Sequence, residues 1–260
     1  MNRQRKAEPF SIQDYRLVPG TETYHKTLLN ARVLMGTDSD SLLYTFRKNA
    51  GLDTKQAAPL EGWESPQLHF RGHYMGHFLT ACARSSLILK DTDPETAAIL
   101  AEKAVSIVQG LAECQEALGR REKHPGYLAA IESSMLDDLE ALRFNGVYTV
   151  VYYNLHKTMA GLLDIWLLLR DELALSVLKK MADYIEWRLE RLTPERIGAM
   201  TETRWYREDS NTFHMEFGGM HEVLLRLYET TGEKRYLELA QKFDRGWFRD
   251  MLSGNKDLLG

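Results

Sequence analysis

Three short segments hold most of the side chains that could do chemistry. They read RGHYMGH (Arg71, His73, His77), YYNLHK (Tyr152, Tyr153, Asn154, His156) and HMEFGGMH (His214, Glu216, His221), and they contain five of the chain's 8 histidines. An imidazole can donate or accept at either ring nitrogen, a carboxylate accepts and a phenol does both. With Trp63, Glu64, Tyr127 and Trp205 on the loops that precede them, these groups offer aromatic faces beside hydrogen-bonding atoms, which suits a polyhydroxylated ligand such as a sugar. The candidate ligand contacts are therefore His73, His156, Glu216, His221, Trp63, Glu64 and Tyr127, and no catalytic residue is assigned. His73 and His77 lie four apart on one helical face, but without an acidic third ligand the pair does not specify a metal, and none is expected. Glu216 precedes Gly218 and Gly219, where a carboxylate near a helix N-terminus is stabilised with or without a ligand. His156 could equally serve a neighbouring carbonyl. There is no Gly-rich phosphate loop, no GxSxG and no HExxH.

The elements that must position these residues are helices. From about Gly72 onward apolar residues recur at helical spacing, with almost no strand alternation, so the fold class is all-α. Two kinds of helix alternate. His73 to Leu89 and Leu155 to Leu169 are apolar on most of their circumference and carry small residues such as Gly76, Ala81, Ala160 and Gly161; a helix of that kind is one that is surrounded. Each precedes a one-sided helix, Glu95 to Leu118 and Ala174 to Leu192, and a third pair follows at Met215 to Glu229 and Lys234 to Trp247. Placing ALSVLKKMADY over YLELAQKFDRG matches Leu175 with Leu237 and Met181 with Phe243, at a constant offset of 62 residues. Asp93 before Pro94 and Thr193 before Pro194 read as N-caps with proline at the first helical position. Buried helices alternating with half-exposed ones, joined by short turns, describe an α/α toroid, in which the inner helices share a direction and gather their N-terminal ends around one funnel. Residues 1–70 are less regular: helices from Glu22 to Met35 and from Ser41 to Lys48, then a rim loop. Residues 71–260 form three inner/outer hairpins of the same domain, with no linker between the two parts.

The chain has 260 residues, 44% of them apolar and 27% charged, and a formal charge of −4. That composition is globular, and the interleaved charges leave no footprint for a nucleic acid. The apolar run Met159 to Leu169 is short and interrupted by Asp164, so no membrane partner is expected. The N-terminus has no apolar segment behind its basic residues, which reads as cytoplasmic. Cys82 and Cys114 lack CxxC spacing and read as buried, inert thiols.

Taken together, PFSIQDYRLVPG, LLYTFRKNAGL, GWESPQLHFRGHYMGHFLTACA, AECQEALG, GYLAAIE, YYNLHKTMAGLLD and EFGGMHEVLLRLYETTGEKRYLELAQKF resemble, in order and spacing, the N-terminal part of the β-L-arabinofuranosidase family of glycoside hydrolases. GHxxGH, YYxLHK and EFGGM carry most of the specificity. The resemblance implies a six-hairpin α/α barrel, a carbohydrate partner, and release of arabinofuranosyl units with retention at the anomeric carbon. It also implies, for the full-length family, a cysteine thiolate nucleophile held by zinc with other cysteines and a glutamate, and an acid/base glutamate late in the barrel. Cys82 and Cys114 do not match those positions and neither is carried over, so this chain is expected to bring no cofactor and to be inactive alone. His221 stands where the family more usually has asparagine after GGM.

At roughly 62 residues per hairpin the chain accounts for about four hairpins rather than six, so the ring is expected to be incomplete. An apolar flank of the last inner helix, with Val223, Leu224 and Leu227, should then meet water unless a second copy or a missing C-terminal segment covers it. Two other readings stay open: a non-catalytic carbohydrate-binding or interaction module, and a toroid sugar epimerase with a histidine acid/base pair.

Overall fold

The structure is a computed structural model and describes residues 10–143, 150–201, 217–244 and 246–255. His214, Trp205 and Glu216 lie outside the described residues. All regular elements among those residues are helical. They begin with α1 (Glu22–Gly36) and α2 (Ser39–Ala50), followed by a 3-10 turn at Gly62–Glu64. Then come α3 (His73–Leu89), α4 (Pro94–Gly119), α5 (Ser134–Glu140), α6 (Val151–Leu169) and α7 (Glu172–Glu190). The last are α8 (Pro194–Thr201), α9 (Met220–Thr231), α10 (Lys234–Gln241) and α11 (Gly246–Ser253).

Helix starts follow local chemistry. Thr21, Asp38, Asp93 and Asp171 each accept a hydrogen bond from a backbone N–H in the first turn of the helix that follows, satisfying donors that the helix itself cannot. Pro94 supplies the pre-set φ of a first helical position. Thr193 does for α8 what Asp93 does for α4, accepting from Arg196 N at 3.2 Å.

Packing divides the helices into two layers. α3 packs on α6, α6 packs on α9, and each is backed by the helix that follows it, α4, α7 and α10. α1 lies on α3 and α4, and α2 lies along α4, with Leu43 against Gly110 and Arg121 donating to Asn49 O. The result is the two-layer arrangement of an α/α toroid with α3, α6 and α9 inside. α7 begins at Glu172 and α10 at Lys234, so the 62-residue repeat seen in sequence is the spacing of two outer helices.

The seam between α3 and α6 explains the small residues. A Cβ on Gly76 would lie 1.7 Å from Lys157 O, and one on Gly161 would lie 2.7 Å from Gly76 O. Backbone therefore meets backbone there, flanked by Met75, Leu79, Leu155, Met159 and Leu162, none more than 2% exposed.

Three expectations need correction. Val223, Leu224 and Leu227 do not meet water; each is 0% exposed, because α9 is covered by α6 on one side and α10 on the other. The helix expected from Lys234 to Trp247 stops at Gln241, where Lys242 and Phe243 bond to Leu239 O and Ala240 O; this tightened turn buries Phe243 (2% exposed). The hairpins are also not joined by uniformly short turns, since the segment between α4 and α6 contains α5.

Candidate functional site

The N-terminal ends of the three inner helices are tied to one another by polar contacts. Asn154, in the first turn of α6, donates through Nδ2 to His69 O (2.9 Å) and Arg71 O (3.3 Å), the residues leading into α3. His156, one turn further in than the start of α6, accepts at Nδ1 from Gly219 N–H just before α9 (3.1 Å). The three ends therefore face the same way and adjoin.

Glu64 organises the start of α3. Its carboxylate accepts from Gly72 N–H (2.6 Å) and Tyr74 N–H (2.9 Å), an N-terminal cap supplied from a loop rather than from the capping position itself. The same carboxylate lies 2.7 Å from His73 Nδ1, and Phe70 O lies 2.7 Å from that nitrogen on another side. Both neighbours are acceptors, so the network assigns the His73 proton to Nδ1. The hydrogen bond it donates to Glu64 is the largest influence on this imidazole and raises its pKa above the ordinary histidine value, against an opposing effect of burial.

His156 is arranged the other way. Its Nδ1 accepts, which assigns the proton to Nε2. The ring is 7% exposed and seated against the two glycines: a Cβ on Gly218 would come 2.8 Å from Nδ1, and one on Gly219 would come 2.7 Å from Nε2. Gly218 also has φ +54, a left-handed conformation that glycine adopts without strain. His73 thus offers an accepting Nε2 when neutral, and His156 a donating Nε2–H. A pair of opposite polarity is suited to sugar hydroxyls, each of which donates and accepts.

Aromatic and charged groups fill in between. Trp63 is 66% exposed, stacks on Phe70 at 5.5 Å and tilts toward His73 at 6.1 Å. His73 also borders His77 (6.3 Å) and Tyr153 (6.0 Å), and Lys157 Nζ sits 4.9 Å over the Tyr153 ring. Desolvation, and then the Lys157 charge, lower the pKa of His77. His156 Nε2 is 3.9 Å from Glu222, and Glu222 is 3.4 Å from Arg226. The interaction with His156 leads the causes that lower the Glu222 pKa. Arg226 donates at 2.7 Å to Asp164, whose carboxylate is buried in α6.

The structure therefore brings together Trp63, Glu64, His73 and His156, with His77 and Tyr153. His221 lies half-buried in the first turn of α9. Tyr127 is not brought to the group: it is 1% exposed, donates to Ile131 O (2.6 Å) and packs on Tyr184 at 5.1 Å. Tyr152 is also a core residue, its ring 5.2 Å from Phe243. Glu216 lies outside the described residues. Sequence reasoning passed over Lys157 and Glu222, although Lys157 closes the YYNLHK segment and the i,i+4 pairing of Glu222 with Arg226 was legible as charge spacing.

The zinc implied by the family resemblance does not fit the side chains here. Cys82 and Cys114 are both buried, on α3 and α4, and burial pushes each thiol up to about 12. A zinc-bound sulfur must be a thiolate. Among the described residues no group of three or more His, Cys, Asp and Glu side chains could hold a metal ion. Likewise, among those residues no helix is long and apolar enough to cross a membrane.

Comparison with known proteins adds a family. Residues 22–260 match the family described as beta-L-arabinofuranosidase, GH127 catalytic domain. Among solved structures, the chain is similar to Ara127N-Se, a GH127 beta-L-arabinofuranosidase from Geobacillus stearothermophilus T6. The identity is 20% and the TM-score 0.47, over 90% of this chain and 32% of that one. The chain spans about a third of the length of that enzyme. No curated protein matches.

Proposed function

Because the chain belongs to the family of the GH127 beta-L-arabinofuranosidase catalytic domain, we propose that it forms the sugar-binding front of a retaining glycoside hydrolase acting on arabinofuranosyl glycans. One observation carries the reading: His73 and His156, with opposite protonation at Nε2, stand at the adjoining N-terminal ends of α3 and α6. Trp63 adds an exposed indole face beside His73, the kind of surface on which the C–H face of a sugar ring packs. In this reading His156 donates through Nε2–H to a ring hydroxyl, His73 accepts through Nε2 from another, and Glu64 fixes His73 in that tautomer. Glu222 lies 3.9 Å from the same Nε2 and would share its proton with the ligand, and Arg226 lies 3.4 Å from Glu222. Glu216, beside the glycine pair, is retained as a sugar contact, as is His221.

The two-step retaining reaction needs a nucleophile and a group that protonates the leaving oxygen. We place both outside this chain. The reading is supported by the state of its two cysteines, which are buried and whose thiols are pushed up to about 12 by that burial. What this chain contributes is binding, orientation and scaffold.

The test is an assay of the chain on an aryl β-L-arabinofuranoside. Saturable binding without release of the aryl alcohol is expected. Robust zinc-dependent turnover by the chain alone would overturn the assignment of the catalytic pair to another segment.

A further inference from the structure

Beside the segment that leads into α3 there is a polar hollow. A cavity of about 300 Å³ is lined by Thr45, Lys48, Asn49, Arg71, Arg121 and Glu132, with Pro66 and Ala130 closing it. Its charge runs against that of the chain: three cations and one carboxylate line it, whereas the whole chain carries −4.

Arg71 is the built part. It is 8% exposed, and its guanidinium is held by Ala130 O (2.8 Å at Nε) and Leu68 O (2.9 Å at Nη1). Its Nη2 donates at 3.0 Å to Glu132, a carboxylate whose side chain is 62% exposed. A surface carboxylate thus already occupies the place that a ligand carboxylate would take on a fixed, buried guanidinium. Arg121 donates to Asn49 O at 3.0 Å, and neither it nor Lys48 is paired with a carboxylate among the described residues. Thr45 is 6% exposed, lines the cavity, and its hydroxyl has no hydrogen-bond partner among the described residues.

We propose that this cavity is a second carbohydrate subsite, for an acidic sugar residue whose carboxylate displaces Glu132 from Arg71 and is met by Lys48 and Arg121. The cavity is larger than a bare oxyanion needs, and its unpartnered hydroxyl suits a ring hydroxyl. It shares the segment from Pro66 to Arg71 with the loop that carries Trp63 and Glu64. Charge-assisted contacts of this kind are the strong ones in a polar site. The choice of a sugar as ligand rests on the reading under Proposed function; the anion preference rests on the cavity alone.

The experiment is calorimetric titration of the chain with galacturonate, neutral galactose and inorganic sulfate, with amide NMR shifts locating each. Galacturonate is expected to bind about tenfold more tightly than galactose, as the two charge-assisted contacts added by Lys48 and Arg121 to the exchange at Arg71 imply, and to shift the Thr45 and Ala130 amides. Lys48→Gln should reduce that preference without touching any other contact, and Lys48→Gln with Arg121→Gln should abolish it. Glu132→Gln removes the competing carboxylate and should strengthen galacturonate binding, which a merely structural Arg71–Glu132 pair would not do. Equal binding of galacturonate and galactose, or weakening by Glu132→Gln, would overturn the proposal. Sulfate binding as tightly as galacturonate would reassign the cavity to free anions and overturn the sugar claim. A neutral arabinofuranoside titrated into the same samples keeps the two readings apart. Its failure to bind near His156, with galacturonate still shifting Ala130, would sink the proposed function and leave this subsite standing.

Discussion

Substituting Gly76 by alanine probes the seam on which the site depends. The new methyl group would be placed 1.7 Å from Lys157 O and 2.2 Å from Lys157 C. Both are backbone atoms of a buried helix, so no side chain can swing away. Non-bonded carbon contacts settle near about 3.5 Å, so α3 and α6 would have to part by roughly 1.5 Å or more. A gap of about 0.5–1 Å already forfeits a quarter to a half of the dispersion energy between facing atoms. The atoms concerned belong to Met75, Leu79, Leu155, Met159 and Leu162, all essentially buried. Overpacking usually costs about 1–3 kcal/mol, and a collision with backbone belongs at the upper end, about 3 kcal/mol. For a chain of this size that corresponds to a fall in Tm of about 6–12 °C. Thermal melts followed by circular dichroism would measure it. Gly161→Ala, with its Cβ 2.7 Å from Gly76 O, should also destabilise, but less. Gly198→Ala in α8 is the control: its Cβ meets nothing within 4 Å, and helix propensity should make it neutral or stabilising by up to about 1 kcal/mol. A Gly76→Ala chain that melts within two or three degrees of the original, roughly the control's range, would refute the backbone-to-backbone seam.

Other consequences are open to direct measurement. Glu64 raises the His73 pKa, so His73 should titrate above the ordinary histidine value by NMR, and Glu64→Gln should bring it down. Because the folded pKa is the raised one, this pair stabilises fully below the unfolded histidine value and its contribution fades as pH climbs through the folded value. The Tm deficit of Glu64→Gln should therefore shrink toward alkaline pH, and a deficit that grows would contradict the pairing. Cys82 and Cys114, with thiols pushed up to about 12, should resist a thiol-specific reagent at pH 8 until the chain is unfolded; rapid reaction of either in the native state would show that it is accessible and ionised. Removing the buried carboxylate with Asp164→Ala leaves Arg226 only the longer contact with Glu222 and should cost about 2 kcal/mol, less than a fully buried pair because Arg226 is about a third exposed. Asp164→Asn, which keeps an acceptor for Arg226, should cost less than Asp164→Ala in the same melts.

Hydrophobic period and turn chemistry make the layers legible in the sequence. His73–Leu89 falls on identical residues in both readings, Pro94 and Thr193 mark real helix starts, and the small residues Gly76 and Gly161 mark the seam. The convergence of RGHYMGH and YYNLHK was legible too, since helices of one layer share a direction. Other features depend on contacts distant in sequence. Nothing local in GWESP says that Glu64 will cap α3, because that depends on how the loop folds back. Tyr127 resembles a rim aromatic in sequence, yet the pairing of its segment with α7 buries it. The apolar flank of α9 was read as an open edge because a repeat pattern fixes which helices are inner, not how closely α10 closes over the last one.

The central claim is that the adjoining ends of α3 and α6 bind a neutral furanose, and one titration tests it. Methyl β-L-arabinofuranoside should bind the chain saturably and shift the amides of His73, His156 and Gly219. His73→Ala and His156→Ala should each weaken it by about tenfold, the value of a hydrogen bond lost from a polar site, in samples whose melting curves show they are folded. His124→Ala, on the remote stack with Trp187, should leave the affinity unchanged. Affinity that survives both histidine substitutions, or amide shifts that fall elsewhere on the chain, would contradict the account.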